Sequence, residues 1–312
     1  MKLLSVIIPV YNEEGNLELL FKRLEKVLST TDATPEYIFI NDGSRDHSME
    51  IIRQLAMKDS RVKFIDFSRN FGHQTAVTAG LDYCNGDCAI IIDADLQDPP
   101  EMITELYTKW KEGFEVAYAR RRSRQGENYL KKWTARVFYR LLKKITSIQI
   151  PVDTGDFRII DRKVINVLKQ MPEQQKFLRG QISWIGFRQT AVEYDRDERY
   201  AGKTGYTYSK MIRFALDGIT SFSNFPLRFA TMMGFLVSAI AFLLILYALY
   251  QRLVSREFVP GWASLMLAIL FMGGVQLISL GIIGEYISRM DVNVRKRPLY
   301  IVRESNLDIM QP

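Results

Sequence analysis

The chain has 312 residues, of which 47% are hydrophobic and 25% charged, and its formal net charge at pH 7 is +7. That length and apolar content exclude an intrinsically disordered chain and allow one large domain or two of ordinary size. The positive charge suggests an anionic partner, and the basic residues concentrate between Tyr118 and Ile145. With two cysteines and two histidines in the whole chain, a structural zinc site is disfavoured.

Residues 1–120 alternate short apolar runs with amphipathic segments. Runs rich in Val, Ile and Phe, each ending in polar residues, predict strands at 3–10, 36–42, 62–67, 88–95 and 114–119. Apolar residues at helical spacing predict helices at 16–28, 48–58, 72–84 and 100–110. This alternation predicts an α/β domain with a mostly parallel, Rossmann-like sheet covered by helices.

Polar residues follow each of the first four predicted strands. They are Tyr11, Asn12 and Glu13, then Asn41, Asp42 and Gly43, then Ser68, Arg69 and Asn70, and finally Asp93 and Asp95. Such sheets bind ligands at the carboxyl ends of their strands, so we expect these side chains to line one crevice. No G-x-G-x-x-G or G-x-x-x-x-G-K-[ST] motif is present. A dinucleotide oxidoreductase and a P-loop phosphotransferase are therefore disfavoured.

The segment Asp93-Ala94-Asp95 places two carboxylates at the end of an apolar run and ahead of the stiff pair Pro99-Pro100. Carboxylates are hard oxygen donors suited to Mg²⁺ or Mn²⁺, ions that keep open positions for substrate phosphates. We interpret this D-x-D as a site for a divalent cation and a diphosphate. A solvated acidic turn is the alternative, because D-x-D by itself is a short and common pattern.

Beyond residue 125 the alternation of strands and helices fades. Residues 127–147 form an amphipathic pattern with apolar residues on one side and cations elsewhere. We expect a helix that lies in the membrane interface, with Lys and Arg against anionic headgroups. The alternative is an ordinary surface helix packed on its own domain.

Two segments without charge, 229–250 and 260–284, are long enough to cross a membrane. Basic residues flank their outer ends, at Lys210, Arg213, Arg228, Arg289, Arg295, Lys296 and Arg297, and outnumber the Arg252 and Arg256 of the connecting loop. The positive-inside rule then places the domain of residues 1–225, the tail of residues 285–312 and both termini in the cytoplasm, in a multi-pass protein of the inner (plasma) membrane. A buried helical hairpin of a soluble protein is the alternative.

Six segments in chain order carry a resemblance to a known family. They are SVIIPVYNEEGN, NDGSRD, RNFGHQTAVTAGLDYCNGD, DADLQDPPE, TGDFRIIDR and RYAGKTGY, and they extend from about residue 4 to residue 210. The set resembles the inverting family 2 glycosyltransferases of GT-A fold, specifically the polyprenyl-phosphate glycosyltransferases akin to dolichol-phosphate mannose synthase and bactoprenol glucosyltransferases. Two C-terminal spans fit the bactoprenol branch.

The resemblance implies roles for residues at matching positions. The nucleotide's base and ribose would contact Pro9, Tyr11, Glu13 and Asp42. The sugar and diphosphate would lie at Asp93 and Ala94, and the metal ligands would be Asp95, Gln97 and Asp93. Arg199 and Lys203 belong to the segment resembling the family's flexible loop over the donor phosphates. For Asp42, the alternative is a helix N-cap or turn residue, because NDGS is good turn chemistry.

Asp156 matches the position assigned as catalytic base in this family, and with Asp93 it makes up the predicted catalytic pair. A polyprenyl phosphate has a second pKa near 6, so at pH 7 it already carries an anionic oxygen and needs little deprotonation. Our hypothesis is that Asp156 chiefly positions the acceptor or sugar hydroxyls. The predicted cations for the acceptor phosphate are Arg120, Arg124 and Arg136, while Arg158 and Arg179 either join them or pair with acids of the domain.

The predicted function is transfer of a sugar, first of all glucose from UDP-glucose, to undecaprenyl phosphate at the cytoplasmic membrane face. Other UDP-sugars or GDP-mannose stay open as donors. The expected partners are the nucleotide sugar, the lipid, the membrane and a second copy of the chain, with no nucleic acid. The alternatives are a non-catalytic nucleotide-sugar-binding anchor and a processive polysaccharide synthase, although the Q-x-x-R-W motif of such synthases is absent.

Overall fold

The computed structural model describes residues 2–121, 154–194, 223–250 and 261–308. The chain divides into two compact units. Of the described residues, 2–121, 154–194 and 297–308 belong to the first unit, and 223–250 and 261–296 belong to the second. The first unit therefore contains residues that precede the two long apolar segments in the sequence and residues that follow them.

An eight-stranded sheet forms the centre of the first unit. Its strands are β1 (Lys2–Val10), β2 (Ala33–Asn41), β3 (Val62–Phe67), β4 (Cys88–Ile91), β5 (Val116–Arg121), β6 (Thr154–Asp161), β7 (Gln189–Tyr194) and β8 (Val302–Ser305). They lie in the order β7-β5-β6-β4-β1-β2-β3-β8. The five strands predicted from the sequence are all present, whereas β6, β7 and β8 come from segments where the sequence pattern predicted no strand.

The predicted mostly parallel arrangement is confirmed at the centre of the sheet. β1 pairs in parallel with β2 and with β4, and β2 pairs in parallel with β3. β5 and β7 are also parallel. In contrast, β6 lies antiparallel between β4 and β5, and β8 is antiparallel to β3. Both antiparallel strands, β6 and β8, are among the three that the alternation of strands and helices did not reveal.

Helices cover both faces of this sheet. They are α1 (Leu17–Leu28), α2 (Ser48–Lys58), α3 (His73–Tyr83), a 3₁₀ turn (Pro100–Met102) leading into α4 (Ile103–Lys111), α5 (Arg162–Gln170) and α6 (Leu178–Ile185). Successive β1 residues point to opposite faces, so Val6 and Ile8 join the core beneath α1, α2 and α4, while Ile7 joins the core beneath α3, α5 and α6.

The second unit consists of two long helices, α7 (Phe225–Tyr250) and α8 (Trp262–Arg295). Within them, Phe225–Leu244 and Ala268–Arg295 are long and apolar enough to cross a membrane. Large apolar side chains are exposed, such as Phe235 at 74% and Leu277 at 71%. Such continuous apolar exposure favours lipid contact over a soluble hairpin. The membrane orientation stays a prediction, and the interfacial helix predicted at 127–147 lies outside the described residues.

A close approach between α3 and the sheet depends on Gly80. A Cβ at this position would lie 2.3 Å from Cγ2 of Ile7 and 2.9 Å from Cδ1 of Ile40. Alanine would add about 1 kcal/mol of helix propensity, but overpacking a filled core costs about 1–3 kcal/mol. We expect Gly80→Ala to lower the apparent Tm of the purified protein in detergent. Gly15→Ala is the control, because no atom lies within 4 Å of its added Cβ, and equal Tm values for the two variants would contradict this packing.

Candidate active site

The D-x-D follows β4 in a loop that is fixed at several points. β4 ends at Ile91, earlier than the predicted strand end at residue 95. The Asp95 carboxylate accepts a hydrogen bond from the Gln97 backbone N–H at 3.1 Å. Leu96 adopts a left-handed conformation with φ of 57°, which is strained for a residue with a Cβ. Buried Asp98 accepts a hydrogen bond from the Tyr194 hydroxyl of β7. Together these features fix the loop that carries the D-x-D.

Asp93 carries a buried oxygen without a hydrogen-bond partner among the described residues. This atom is Oδ1, and Nε2 of His73 lies 3.6 Å from it, too far for a hydrogen bond. Burial, together with the charges of Asp156, Asp98 and Asp95, raises the pKa of Asp93 to about 6, although His73 opposes the shift. A buried carboxylate oxygen of this kind is suited to a cation.

The donor set fits a divalent cation that shares its coordination with a ligand. In the described part of the chain, no group of three or more His, Cys, Asp or Glu residues is arranged to hold a metal. Two carboxylates, Asp93 and Asp95, are what Mg²⁺ commonly takes from a protein when substrate phosphates and water complete its shell. For Gln97 the backbone, rather than the side chain, is seen to contact Asp95.

The Asp156 carboxylate, at the start of β6, is buried and held by several donors. Its Oδ1 accepts a hydrogen bond from Nε of Arg179 at 2.8 Å. Its Oδ2 lies 3.1 Å from Nε2 of His73 and accepts a hydrogen bond from Nε2 of Gln74 at 3.0 Å. Burial would raise the pKa of Asp156, but Arg179, His73 and Arg158 outweigh it and hold that pKa well below its usual range. Asp156 is therefore a stable anion and a weak base.

His73 and Gln74, at the start of α3, connect the parts of the site. Burial alone would lower the pKa of His73, but the carboxylates of Asp93 and Asp156 raise it to about 9, so the imidazole is cationic at neutral pH. The side-chain oxygen Oε1 of Gln74 accepts a hydrogen bond from the Leu178 N–H at the start of α6, the helix that carries Arg179. The sequence analysis gave neither residue a role, although both belong to the segment RNFGHQ that carried the family resemblance.

Arg158 and Arg179 pair with Asp156 rather than standing free for a phosphate. Buried Arg158 lies 3.8 Å from Oδ1 of Asp156, and its guanidinium also donates to the carbonyl oxygens of Gly155 and Asp156. Of the two possibilities left open by the sequence, the structure selects pairing with an acid of the domain. Burial lowers the pKa of Arg158 to about 10, which leaves it charged.

The predicted nucleotide residues gather at the ends of β1 and β2. The Asp42 carboxylate accepts hydrogen bonds from the backbone N–H groups of Phe71 at 2.6 Å and Gly72 at 3.0 Å. It is therefore neither a helix N-cap nor a simple turn residue, because it fixes the loop between β3 and α3. A carboxylate has about four acceptor positions, so Asp42 keeps capacity for a ligand's N–H. Burial raises its pKa despite these two hydrogen bonds.

The loop after β1 is tied to the loop after β2. The Glu13 backbone N–H donates to Oγ of Ser48 at 3.0 Å, and its carboxylate accepts from Nδ2 of Asn16 at 2.6 Å. Tyr11 is 46% exposed, whereas Pro9 and Ala94 are buried. Gly43 allows the approach of the next loop, since a Cβ there would lie 2.5 Å from the carbonyl carbon of Arg69. Tyr11 is therefore accessible from outside at this end of the sheet.

Of the predicted phosphate-binding cations, Arg120 is the one that the structure describes. The Arg120 side chain forms an ion pair with Glu193 across β5 and β7. A phosphate at Arg120 would therefore have to compete with Glu193. Arg124, Arg136, Arg199 and Lys203 lie outside the described residues, and their roles stay predictions.

Comparison with known proteins agrees with this architecture. The glycosyl transferase family 2 model matches residues 5–168, and the GtrB C-terminal hairpin model matches residues 225–290. The crystal structure of mannosyl-3-phosphoglycerate synthase from Rubrobacter xylanophilus matches with a TM-score of 0.49 at 13% identity, over 70% of this chain and 73% of that chain. The family match, together with the mostly parallel sheet and the two apolar helices, confirms the predicted GT-A fold.

Several relatives are similar over nearly the whole chain. The uncharacterized glycosyltransferase YkcC of Bacillus subtilis is 52% identical over 96% of this chain and 93% of its own. The uncharacterized glycosyltransferase sll0501 of Synechocystis sp. is 49% identical over 96% of this chain and 95% of its own. The SfII prophage-derived bactoprenol glucosyl transferase of Shigella flexneri is 42% identical over 97% of this chain and 98% of its own. By this family match and this similarity to relatives, the chain belongs to glycosyl transferase family 2.

Proposed function

We propose that the protein transfers glucose from UDP-glucose to a polyprenyl phosphate, undecaprenyl phosphate in the first place, with inversion at the anomeric carbon. The observation that carries this proposal is the ionised carboxylate of Asp156, held by Arg179, His73 and Gln74 close to the D-x-D. Relatives named bactoprenol glucosyl transferase, 42% identical over almost their full length, support the lipid acceptor and the glucosyl group.

The donor's nucleotide would bind at the ends of β1 and β2. Asp42 can accept the N3–H of a uracil, and Tyr11 can cover the ring. The diphosphate would then extend toward the D-x-D, where Asp93 and Asp95 would hold a divalent cation. When bound, that cation supplies positive charge that stabilises the departing diphosphate. Arg199 and Lys203 are proposed to close over the donor phosphates, and Arg120, Arg124 and Arg136 to attract the acceptor phosphate.

The transfer is a single displacement. An anionic oxygen of the polyprenyl phosphate forms a bond to the anomeric carbon, and the bond from that carbon to the diphosphate oxygen breaks. The diphosphate leaves with the electron pair, so the configuration inverts. A phosphate monoester has a second pKa near 6, so most of the acceptor is already a dianion at pH 7 and needs to lose no proton. The chain's main task is therefore to bring anions together and to stabilise the leaving group.

Asp156 suits a positioning role better than that of a general base. A catalytic base is most effective when its pKa is near the working pH, and the pKa of Asp156 is held far below that. A permanent anion fixed by three side chains can instead accept hydrogen bonds from sugar hydroxyls at a constant position. It takes a proton only from the monoanionic fraction of the acceptor.

The membrane helices would hold this chemistry at the lipid surface. The acceptor's long apolar chain cannot leave the bilayer, so an enzyme anchored by α7 and α8 meets it at the interface. The excess of Lys and Arg outside the two apolar segments supports a cytoplasmic position for the catalytic unit and both termini. A homo-oligomer also stays part of this proposal.

Product formation is the first test. A membrane fraction with undecaprenyl phosphate, Mg²⁺ or Mn²⁺ and radiolabelled UDP- and GDP-sugars should give a labelled lipid monosaccharide, with UDP-glucose the best donor. Chelation should abolish the label, and Asp95→Ala should lower it by about 100-fold or more, because the metal and diphosphate site is lost. Asp32→Ala is the control, since exposed Asp32 pairs with Lys111 away from the site.

Two outcomes of this assay would contradict the proposal. Nucleotide-sugar binding without any labelled lipid would favour the non-catalytic anchor. A polymer longer than one sugar unit would favour a processive synthase.

The pH dependence tests the role of Asp156. For the natural protein we expect the rate to rise as the pH passes about 6, where the acceptor phosphate ionises, and then to stay level to about pH 8.5. Asp156→Asn should lose about 10-fold at pH 8.5 and up to about 20-fold at pH 6, because about half of the acceptor is still monoanionic at pH 6 and only that half has a proton to give up. An equal and near-total loss at every pH would make Asp156 an obligatory base.

Arg179 tests the anchoring of Asp156. Arg179→Ala removes the 2.8 Å hydrogen bond to Oδ1, and we expect kcat to fall by about 10- to 100-fold with a smaller change in donor KM. Arg188→Ala is the matched control, because exposed Arg188 pairs with Glu115 at 3.5 Å outside the site. If both arginine variants had the same activity, the proposed anchor would be wrong.

A further inference from the structure

Residues that follow α8 return to the first unit and pair with the outer side of β3. In this return segment, residues 300–307, β8 aligns Ser305 with Ile65 and Glu304 with Asp66. Hydrogen bonds extend the pairing on both sides, from the Ser68 N–H to the Ile301 carbonyl at 2.9 Å and from the Phe64 N–H to Oδ1 of Asn306 at 2.8 Å. The segment covers backbone groups that an edge strand would leave exposed.

Two side chains of the return segment contact the loop between β3 and α3 or the elements on either side of it. The Tyr300 ring stacks on Phe67 with centroids 5.0 Å apart, and its hydroxyl donates to Asp82 of α3 at 3.0 Å. Phe67 in turn packs edge-on against Phe71. The Arg303 guanidinium donates to the Ser68 carbonyl at 2.7 Å. The return segment thus holds Ser68 directly, and it reaches Phe71 through Phe67.

The same loop holds Asp42. The N–H groups of Phe71 and Gly72 are the donors to the Asp42 carboxylate. A second connection runs through buried Asp66, which lies 3.6 Å from Arg303 and accepts a hydrogen bond from Nδ2 of Asn41 at 2.7 Å. The return segment therefore reaches Asn41 and Asp42, at the end of β2, along two sets of contacts that share Arg303.

We propose that the return segment is a positioning element of the nucleotide site, with Tyr300 and Arg303 as its positioning residues. This inference rests on the proposed function, because it takes the group bound at Asp42 to be a nucleoside diphosphate. Neither residue touches the ligand. They fix the 68–72 loop and through it the carboxylate that receives the base, so the nucleotide site is completed by chain that follows both apolar helices in the sequence.

Variants of the two positioning residues should weaken donor binding and leave the chemical step nearly unchanged. Tyr300→Ala and Arg303→Ala in the full-length protein should each raise the donor KM and the UDP dissociation constant by about three- to tenfold, with kcat changed less than about twofold. Tyr300→Phe keeps the ring on Phe67 and should stay near the natural value. Glu304→Ala is the matched control from the same strand, because its partner is Arg53 of α2 rather than the loop.

Hydrogen exchange gives a readout that does not require activity. In the natural protein the amides of Phe71 and Gly72 should be protected, and Tyr300→Ala and Arg303→Ala should speed their exchange while the amides of β1 remain slow. That pattern also excludes general unfolding as the cause of weaker binding. Natural UDP affinity and natural exchange in both variants would overturn the inference. A natural protein that binds neither UDP nor GDP, but whose amides respond as expected, would overturn the proposed function and leave the structural coupling in place.

Discussion

The hydrogen bonds between β4 and the antiparallel strand β6 place Asp156 beside the D-x-D loop. Their register aligns Ile91 with Arg158, and continuing it by two residues sets Asp93 opposite Asp156. Two carboxylates placed opposite each other on neighbouring chains repel each other in a medium of low polarity. The rest of the site can be understood as the set of cations that makes this pairing tolerable, namely Arg179, Arg158 and His73.

The two carboxylates are brought to different states by their surroundings. Both oxygens of Asp156 have donors, Arg179 at Oδ1 and His73 with Gln74 at Oδ2, and the pKa of Asp156 is held well below the usual range. Asp93 has a buried oxygen without a hydrogen-bond partner in the described residues, and its pKa is raised to about 6. Neighbouring groups whose pKa values are separated in this way commonly have distinct tasks. Here the separation assigns Asp156 to fixed hydrogen bonding and Asp93 to a cation.

The edge of the sheet formed by β3 and β8 depends on pairing between strands that lie far apart in the sequence. β8 comes from residues 302–305, yet it completes the edge at β3, which comes from residues 62–67. Asp66 is buried there between Asn41 and Arg303, so its charge is compensated by residues far apart in the chain. One catalytic unit is thus assembled from chain on both sides of two helices that are apolar enough for a membrane.

The local pattern of apolar residues was sufficient to predict the first half of the fold. The period of apolar residues determined β1 to β5 and α1 to α4, because each of these elements buries a face of its own, and it placed Asp42, Asp93 and Asp95 at strand ends. It could not determine that β6 enters antiparallel between β4 and β5, or that β8 returns to β3, because strand order depends on contacts between distant segments. For the same reason only the tertiary structure brought His73, Gln74 and Arg179 to Asp156. Each of them lies on a different element from Asp156. They come together because the buried negative charge of Asp156 needs cations and hydrogen-bond donors around it.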